Sequence, residues 1–133
     1  MHVTPYLFFN KQCSDAFRHY EKVLGGKNLV IMTYGDTPSA QDMPADMKSA
    51  VMHASLNVGE TQILGADDPQ DYRKPQGVRV ALHTKTPQEA KRAFDGLAEG
   101  GSITQPLEKT FFSPAFGMLT DRFGVQWMVN CEQ

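Results

Sequence analysis

His53, Arg79 and Cys13 are the residues of this chain whose types and positions could do chemistry. His53 lies in the run Val51–Val58, which alternates between an apolar set (Met52, Ala54, Leu56, Val58) and a largely polar one (Val51, His53, Ser55, Asn57). Successive strand side chains point to opposite faces, so His53 belongs to the face turned away from an apolar core. There it could serve as a general base or a metal ligand, or bond to a polar neighbour. Arg79 and His83 share one face of Val78–His83 with Ala81, opposite Val78, Val80 and Leu82. A guanidinium so placed could clamp a carboxylate or phosphonate through paired hydrogen bonds, or form a structural salt bridge with Asp67 or Asp121. His83 sits near a strand end, His19 on the polar side of a helix, and His2 at the terminus. Without an accompanying Asp/Glu pattern these histidines are weak evidence for a metal.

Cys13 precedes a predicted helix N-terminus, where a thiolate is stabilised. No base is assigned to it, and no Ser-His-Asp or Cys-His arrangement is apparent, so catalytic residues stay unassigned. Phe111, Phe112 and Phe116 could form an aromatic wall of a pocket, or pack in a core or a dimer contact. Met43 and Met47 fall in a long loop, where flexible thioethers could cover a pocket mouth or rest on a partner subunit. Trp127 and Met128 alternate, which sends Trp127 to the helix side and Met128 to the other.

The elements that must position these residues follow from local pattern. Val3–Phe9 reads as a strand. Ser14 can cap a helix over about Asp15–Leu24 that ends at Gly25-Gly26. Leu29–Tyr34 is the next strand, residues 35–50 a loop, and Val51–Val58 and Thr61–Gly65 two more strands. After a polar linker at Asp67–Gln76 comes the strand Val78–His83. Thr86-Pro87-Gln88-Glu89 then forms a capping box, with proline at the first helical position. That helix runs to about Glu99 and stops at Gly100-Gly101. Strands follow at about Ile103–Gln105, Met118–Asp121 and Val125–Asn130, with a loop around Phe111–Phe116.

The order strand, helix, strands therefore occurs twice. Ala16-Phe17-Arg18-His19-Tyr20-Glu21-Lys22-Val23 aligns with Ala90-Lys91-Arg92-Ala93-Phe94-Asp95-Gly96-Leu97, with alanine, arginine, an aromatic, an acid and an aliphatic coinciding. The same spacing sets Pro5 opposite Arg79 and Phe9 opposite His83. The expectation is one domain over residues 1–133, with modules at about 3–66 and 77–131.

At 133 residues the chain can bury a core, and its composition is that of an ordinary globular protein, 41% hydrophobic and 21% charged. A net charge of −2 with scattered lysine and arginine argues against nucleic-acid binding. No apolar run is long enough to span a bilayer, and no signal peptide is visible. A cytoplasmic protein with two reduced thiols, Cys13 and Cys131, is expected.

Several segments together resemble one family. They are Pro5-Tyr6-Leu7-Phe8-Phe9-Asn10, Cys13…Ala16-Phe17…Tyr20, Met52-His53-Ala54-Ser55-Leu56, and Phe116-Gly117…Asp121-Arg122-Phe123-Gly124-Val125-Gln126-Trp127-Met128. They resemble the PhnB-like proteins, a branch of the vicinal oxygen chelate superfamily that includes glyoxalase I, bleomycin-resistance proteins and extradiol dioxygenases. The resemblance implies an α+β fold of paired βαβββ modules forming a half-open barrel, usually in a homodimer. It also implies four strand positions that hold a divalent metal through His, Glu or Gln. Here those positions carry Pro5, Ile63 or Leu64, Arg79 and Met128. None is a suitable donor for a hard or borderline cation, so no metal or other cofactor is expected.

Relatives of this family have also been described as demethylubiquinone methyltransferases. The glycine-rich strand-to-helix turn expected for a nucleotide-like cofactor is missing, because Gly25-Gly26 ends a helix rather than opening one. The expectation is a metal-free protein of unassigned activity that binds a small molecule, which could be acidic, with His53, Arg79, Phe112 and Met128 as candidate contacts. The alternatives are a lyase, transferase or dioxygenase with displaced metal ligands, and a structural dimer with no ligand.

Overall fold

In the computed structural model, which describes residues 1–38 and 40–133, the chain divides into two compact units, Met1–Arg73 and Lys74–Gln133. The first contains β1 (Tyr6–Phe9), α1 (Cys13–Leu24), β2 (Lys27–Thr33), the short helix α2 (Ala45–Lys48), β3 (Val51–Val58) and β4 (Thr61–Asp67). The second contains β5 (Val80–Thr84), α3 (Pro87–Ala98), β6 (Ser102–Glu108), β7 (Phe116–Thr120) and β8 (Gln126–Cys131). Two 3₁₀ turns, Tyr34–Asp36 and Ala40–Asp42, lie between β2 and α2.

Each unit is a four-stranded open sheet with one long helix, and the strand orders correspond: β1-β4-β3-β2 and β5-β8-β7-β6. In each, the first strand pairs parallel with the last and the remaining pairs are antiparallel. The α+β architecture and the twofold βαβββ pattern are therefore those expected from the sequence.

The helices form where apolar residues recur every three or four positions. In α1 these are Cys13, Ala16, Phe17 and Tyr20; in α3 they are Ala90, Ala93, Phe94 and Leu97, and all are buried. Gly25 ends α1 at φ 65, a left-handed conformation that costs glycine nothing. Thr86 caps α3 by accepting from the Glu89 N–H, with Pro87 at the first helical position.

The start of α1 differs from the capping expected of Ser14. The helix begins at Cys13, Ser14 lies inside it, and Gln12 makes no side-chain cap bond. A distant carboxylate does the work instead: Asp67 Oδ1 accepts from the Cys13 N–H at 3.0 Å. Its Oδ2 accepts from the Val51 N–H at 2.8 Å, so one buried side chain ties α1, β3 and β4 together. In the second unit, Asp121 accepts from the backbone N–H groups of Phe123 and Val125 and from Trp127 Nε1. Trp127 is buried on the helix side, as its alternation with Met128 predicts.

The equivalence of the two first strands is shifted by one residue from the expected one. The Phe9 carbonyl accepts from Asp68, and the Thr84 carbonyl accepts from Glu132, so Phe9 corresponds to Thr84 and not to His83. Phe9 and Thr84 are both buried, whereas His83 is exposed. The turn into the helix is one residue shorter in the second unit, and a one-residue slip in a strand exchanges its faces.

Candidate functional site

The helix-free face of the first sheet follows from its register. Ser55 lies opposite both Leu64 and Val30, His53 opposite Met32, and Tyr6 beside Leu64. Partners in a ladder share a face, so His53, Ser55, Met32, Val30, Tyr6 and Leu64 form one surface. Val30, Met32, Tyr6 and Phe8 remain substantially exposed, an apolar collection around a single imidazole.

Within it, Tyr6 Oη and His53 Nδ1 are 3.1 Å apart, with ring centroids separated by 5.8 Å. Phe8 lies against Tyr6 at 5.1 Å. Burial, with smaller effects from Cys13 and Tyr34, pushes the Tyr6 phenol above its ordinary pKa, so it holds its proton. When Tyr6 donates to Nδ1, the ring's own proton resides on Nε2 and becomes a donor for an acceptor atom of a ligand. Sequence reasoning singled out His53 but missed Tyr6. Alternation along β1 was the available signal, and only the pairing of β1 with β4 brings the phenol to His53.

Arg79 has a different role from either expectation. Its Nη1 donates to the carbonyls of Leu119 and Trp127, each at 3.1 Å, so it fastens the ends of β7 and β8. Asp67 and Asp121, offered as its salt-bridge partners, instead accept from the backbone and indole groups described above. Met128 shares a face with Met118 and Ala81, away from α3. Phe112 stacks edge-on between Phe111, at 5.2 Å, and Phe116, at 5.0 Å. His83 Nδ1 lies 3.3 Å from the Asn130 amide. His53 and the trio Arg79, Phe112 and Met128 thus belong to different units.

Cys13 is no nucleophile. It is fully buried, and burial together with the Asp67 charge pushes its thiol up to about 12, against the lowering expected of a helix start. Desolvation outweighs the helix here because no solvent reaches the sulfur.

Apart from this surface, the first unit holds a cleft of about 320 Å³ lined by Tyr34, Met43, Pro44, Met47, Asp67, Asp68, Pro69 and Gln70. Both loop methionines singled out from the sequence contribute to it.

The family model described as 3-demethylubiquinone-9 3-methyltransferase matches residues 1–130. The chain belongs to this PhnB-like family. It is 34% identical to protein YjdN of Escherichia coli K12, over 98% of this chain and 95% of YjdN. The crystal structure of PA1353 from Pseudomonas aeruginosa is 44% identical, with a TM-score of 0.89 over 100% of this chain and 98% of that one. A PhnB protein of Bacillus cereus shares the fold at 22% identity and a TM-score of 0.79, over 98% of this chain and 99% of that one. The fold recurs in a glyoxalase/bleomycin-resistance/dioxygenase domain from Frankia, at 15% identity and a TM-score of 0.62 over 99% and 95% of the two chains.

The metal implied by the wider superfamily does not fit this PhnB-like chain. In the first unit Leu64, not Ile63, is the position corresponding to Met128, because Asp68 and Glu132 make matching bonds and place Leu64 on the open face. The same register sets Arg79 level with Thr4 and not with Pro5, so the positions hold a threonine or a proline, a leucine, an arginine bound to carbonyls and a methionine, with no carboxylate or imidazole among them. Among the described residues no three His, Cys, Asp or Glu side chains cluster closely enough to hold a metal ion.

Proposed function

We propose that this PhnB-like protein binds a small molecule on the open face of its first sheet, without a divalent metal at the superfamily's four ligand positions. The observation that carries this reading is the Tyr6–His53 pair, a donor-bearing couple set among exposed apolar side chains. Such a surface, with few polar groups among apolar ones, is the usual make-up of a small-molecule site. The imidazole and phenol suit a ligand with a carbonyl or carboxylate oxygen, and Phe8, Val30 and Met32 suit an apolar body. Arg79, committed to two carbonyls, is a weaker candidate for holding an acid than its sequence position implied. As part of the same proposal the protein is a homodimer in the cytoplasm. The family resemblance supports the dimer, and two free, buried thiols support a reducing compartment.

Two measurements test this. Elemental analysis of protein purified without added metal should find no stoichiometric Mn, Fe, Ni or Zn. A stoichiometric metal that is lost in His53→Ala would establish the metalloenzyme reading instead. Small carboxylates and carbonyl compounds should then be screened against the ring signals of His53 by NMR. Members that bind should move those signals and lose affinity in Tyr6→Phe; a screen in which nothing moves them sinks the binding site.

A further inference from the structure

We propose that the cleft in the first unit is a separate site for a small amphipathic cation, a protonated amine carried on a single-ring apolar body. Its walls are apolar and adaptable: the thioethers of Met43 and Met47, both half-buried, and the ring of Tyr34. Its charge is wholly acidic, because two carboxylates line it and no lysine or arginine does. The carboxylates have different tasks. Asp67 is consumed by the fold, one oxygen by the Cys13 N–H and the other by the Val51 N–H. Asp68, beyond the strand end, accepts at Oδ1 from the Asp71 N–H at 3.3 Å and pairs with no base among the described residues, so its charge is available to a ligand. The neighbouring base Lys11 pairs with Asp46 at 3.1 Å and does not line the cleft.

An ammonium group at Asp68 gains a charge-assisted hydrogen bond, strengthened by apolar walls, and the aromatic ring of Tyr34 lines the same cleft, where a cation over its face would gain further. An anion of similar shape meets two carboxylates and no base. A cleft of about 320 Å³ lies at the small end of ligand sites, which limits the body to about one ring and a short chain.

The probe is 2-phenylethylamine at neutral pH, compared with 3-phenylpropionate and 2-phenylethanol by calorimetry. Methyl-labelled methionines report the location. The amine should bind saturably, the carboxylate should not, and the methyl signals of Met43 and Met47 should shift ahead of Met32, Met118 and Met128. Asp68→Asn keeps the Oδ1 acceptor of the Asp71 turn, so the fold is retained, and it should weaken amine binding about tenfold or more. His53→Ala should leave amine binding unchanged, which separates this site from the one around Tyr6 and His53. Equal binding of amine and carboxylate, unchanged affinity in Asp68→Asn, or shifts confined to the other methionines would each overturn the proposal.

Discussion

At the scale of single residues, the buried acids and thiols are structural. Asp121 satisfies two backbone N–H groups and the Trp127 indole, and none of these donors can reach water when the carboxylate is removed. Asp121→Ala should therefore cost about 3 kcal/mol or more in urea unfolding, since each orphaned buried donor costs about 1–3 kcal/mol. Cys13 gives a pH dependence. Its folded thiol keeps a proton up to about 12, whereas an unfolded thiol releases it near about 8.5. The stabilisation is thus fully present below the unfolded value and is lost as pH rises through the folded one. Wild type should lose stability above pH 9 more steeply than Cys13→Ala, as followed by denaturant midpoints. At pH 8 neither Cys13 nor Cys131 should react with a disulfide reagent until the protein is denatured, as both are buried. Rapid labelling of the native protein would contradict this.

At the scale of elements, the two units solve one packing problem with glycines on different strands. A Cβ on Gly65 of β4 would lie 2.7 Å from the Leu7 carbonyl oxygen and from Phe17 of α1. A Cβ on Gly117 of β7 would lie 2.8 Å from Phe94 of α3. Each helix aromatic therefore rests on bare backbone. Gly65→Ala should destabilise by about 1–3 kcal/mol, the range for overpacking a core, with thermal unfolding as the measure. Thr86→Ala removes the one side-chain cap of α3 and should cost about 1 kcal/mol. The helix α3 was legible in detail because its capping box is local. The start of α1 was not, because its capping carboxylate stands fifty-four residues away at Asp67. The strand ends depart from their expected limits in both directions: β4 continues past Gly65 to Asp67 because β1 runs beside it, whereas β1 begins at Tyr6 and not at Val3.

At the scale of the whole molecule, a repeated βαβββ fold carries side chains unsuited to a metal at the positions where the superfamily resemblance implies ligands. Exposure to a chelator should therefore leave the melting temperature unchanged. A drop of several degrees in EDTA, reversed by a divalent ion, would point to a metal bound at displaced ligands. The lack of donors was visible in the sequence, because neither register of the first strands brings a carboxylate or imidazole to those positions. The alignment within β4 was not. Ile63 and Leu64 are adjacent in sequence and lie on opposite faces, and only the ladder with β1 selects Leu64.

The sequence by itself determined the element order, the duplication, the helix faces and the absence of suitable metal donors, because each rests on local pattern or residue type. Tertiary structure decided which polar groups meet. Tyr6 reaches His53, Asp67 caps α1, and Arg79 binds carbonyls in place of an acid, all across separations of forty residues or more. Such contacts leave no periodic trace in the chain, because a single hydrogen bond between distant strands depends on register. A one-residue change in register, which makes Thr84 and not His83 the counterpart of Phe9, exchanges an exposed side chain for a buried one.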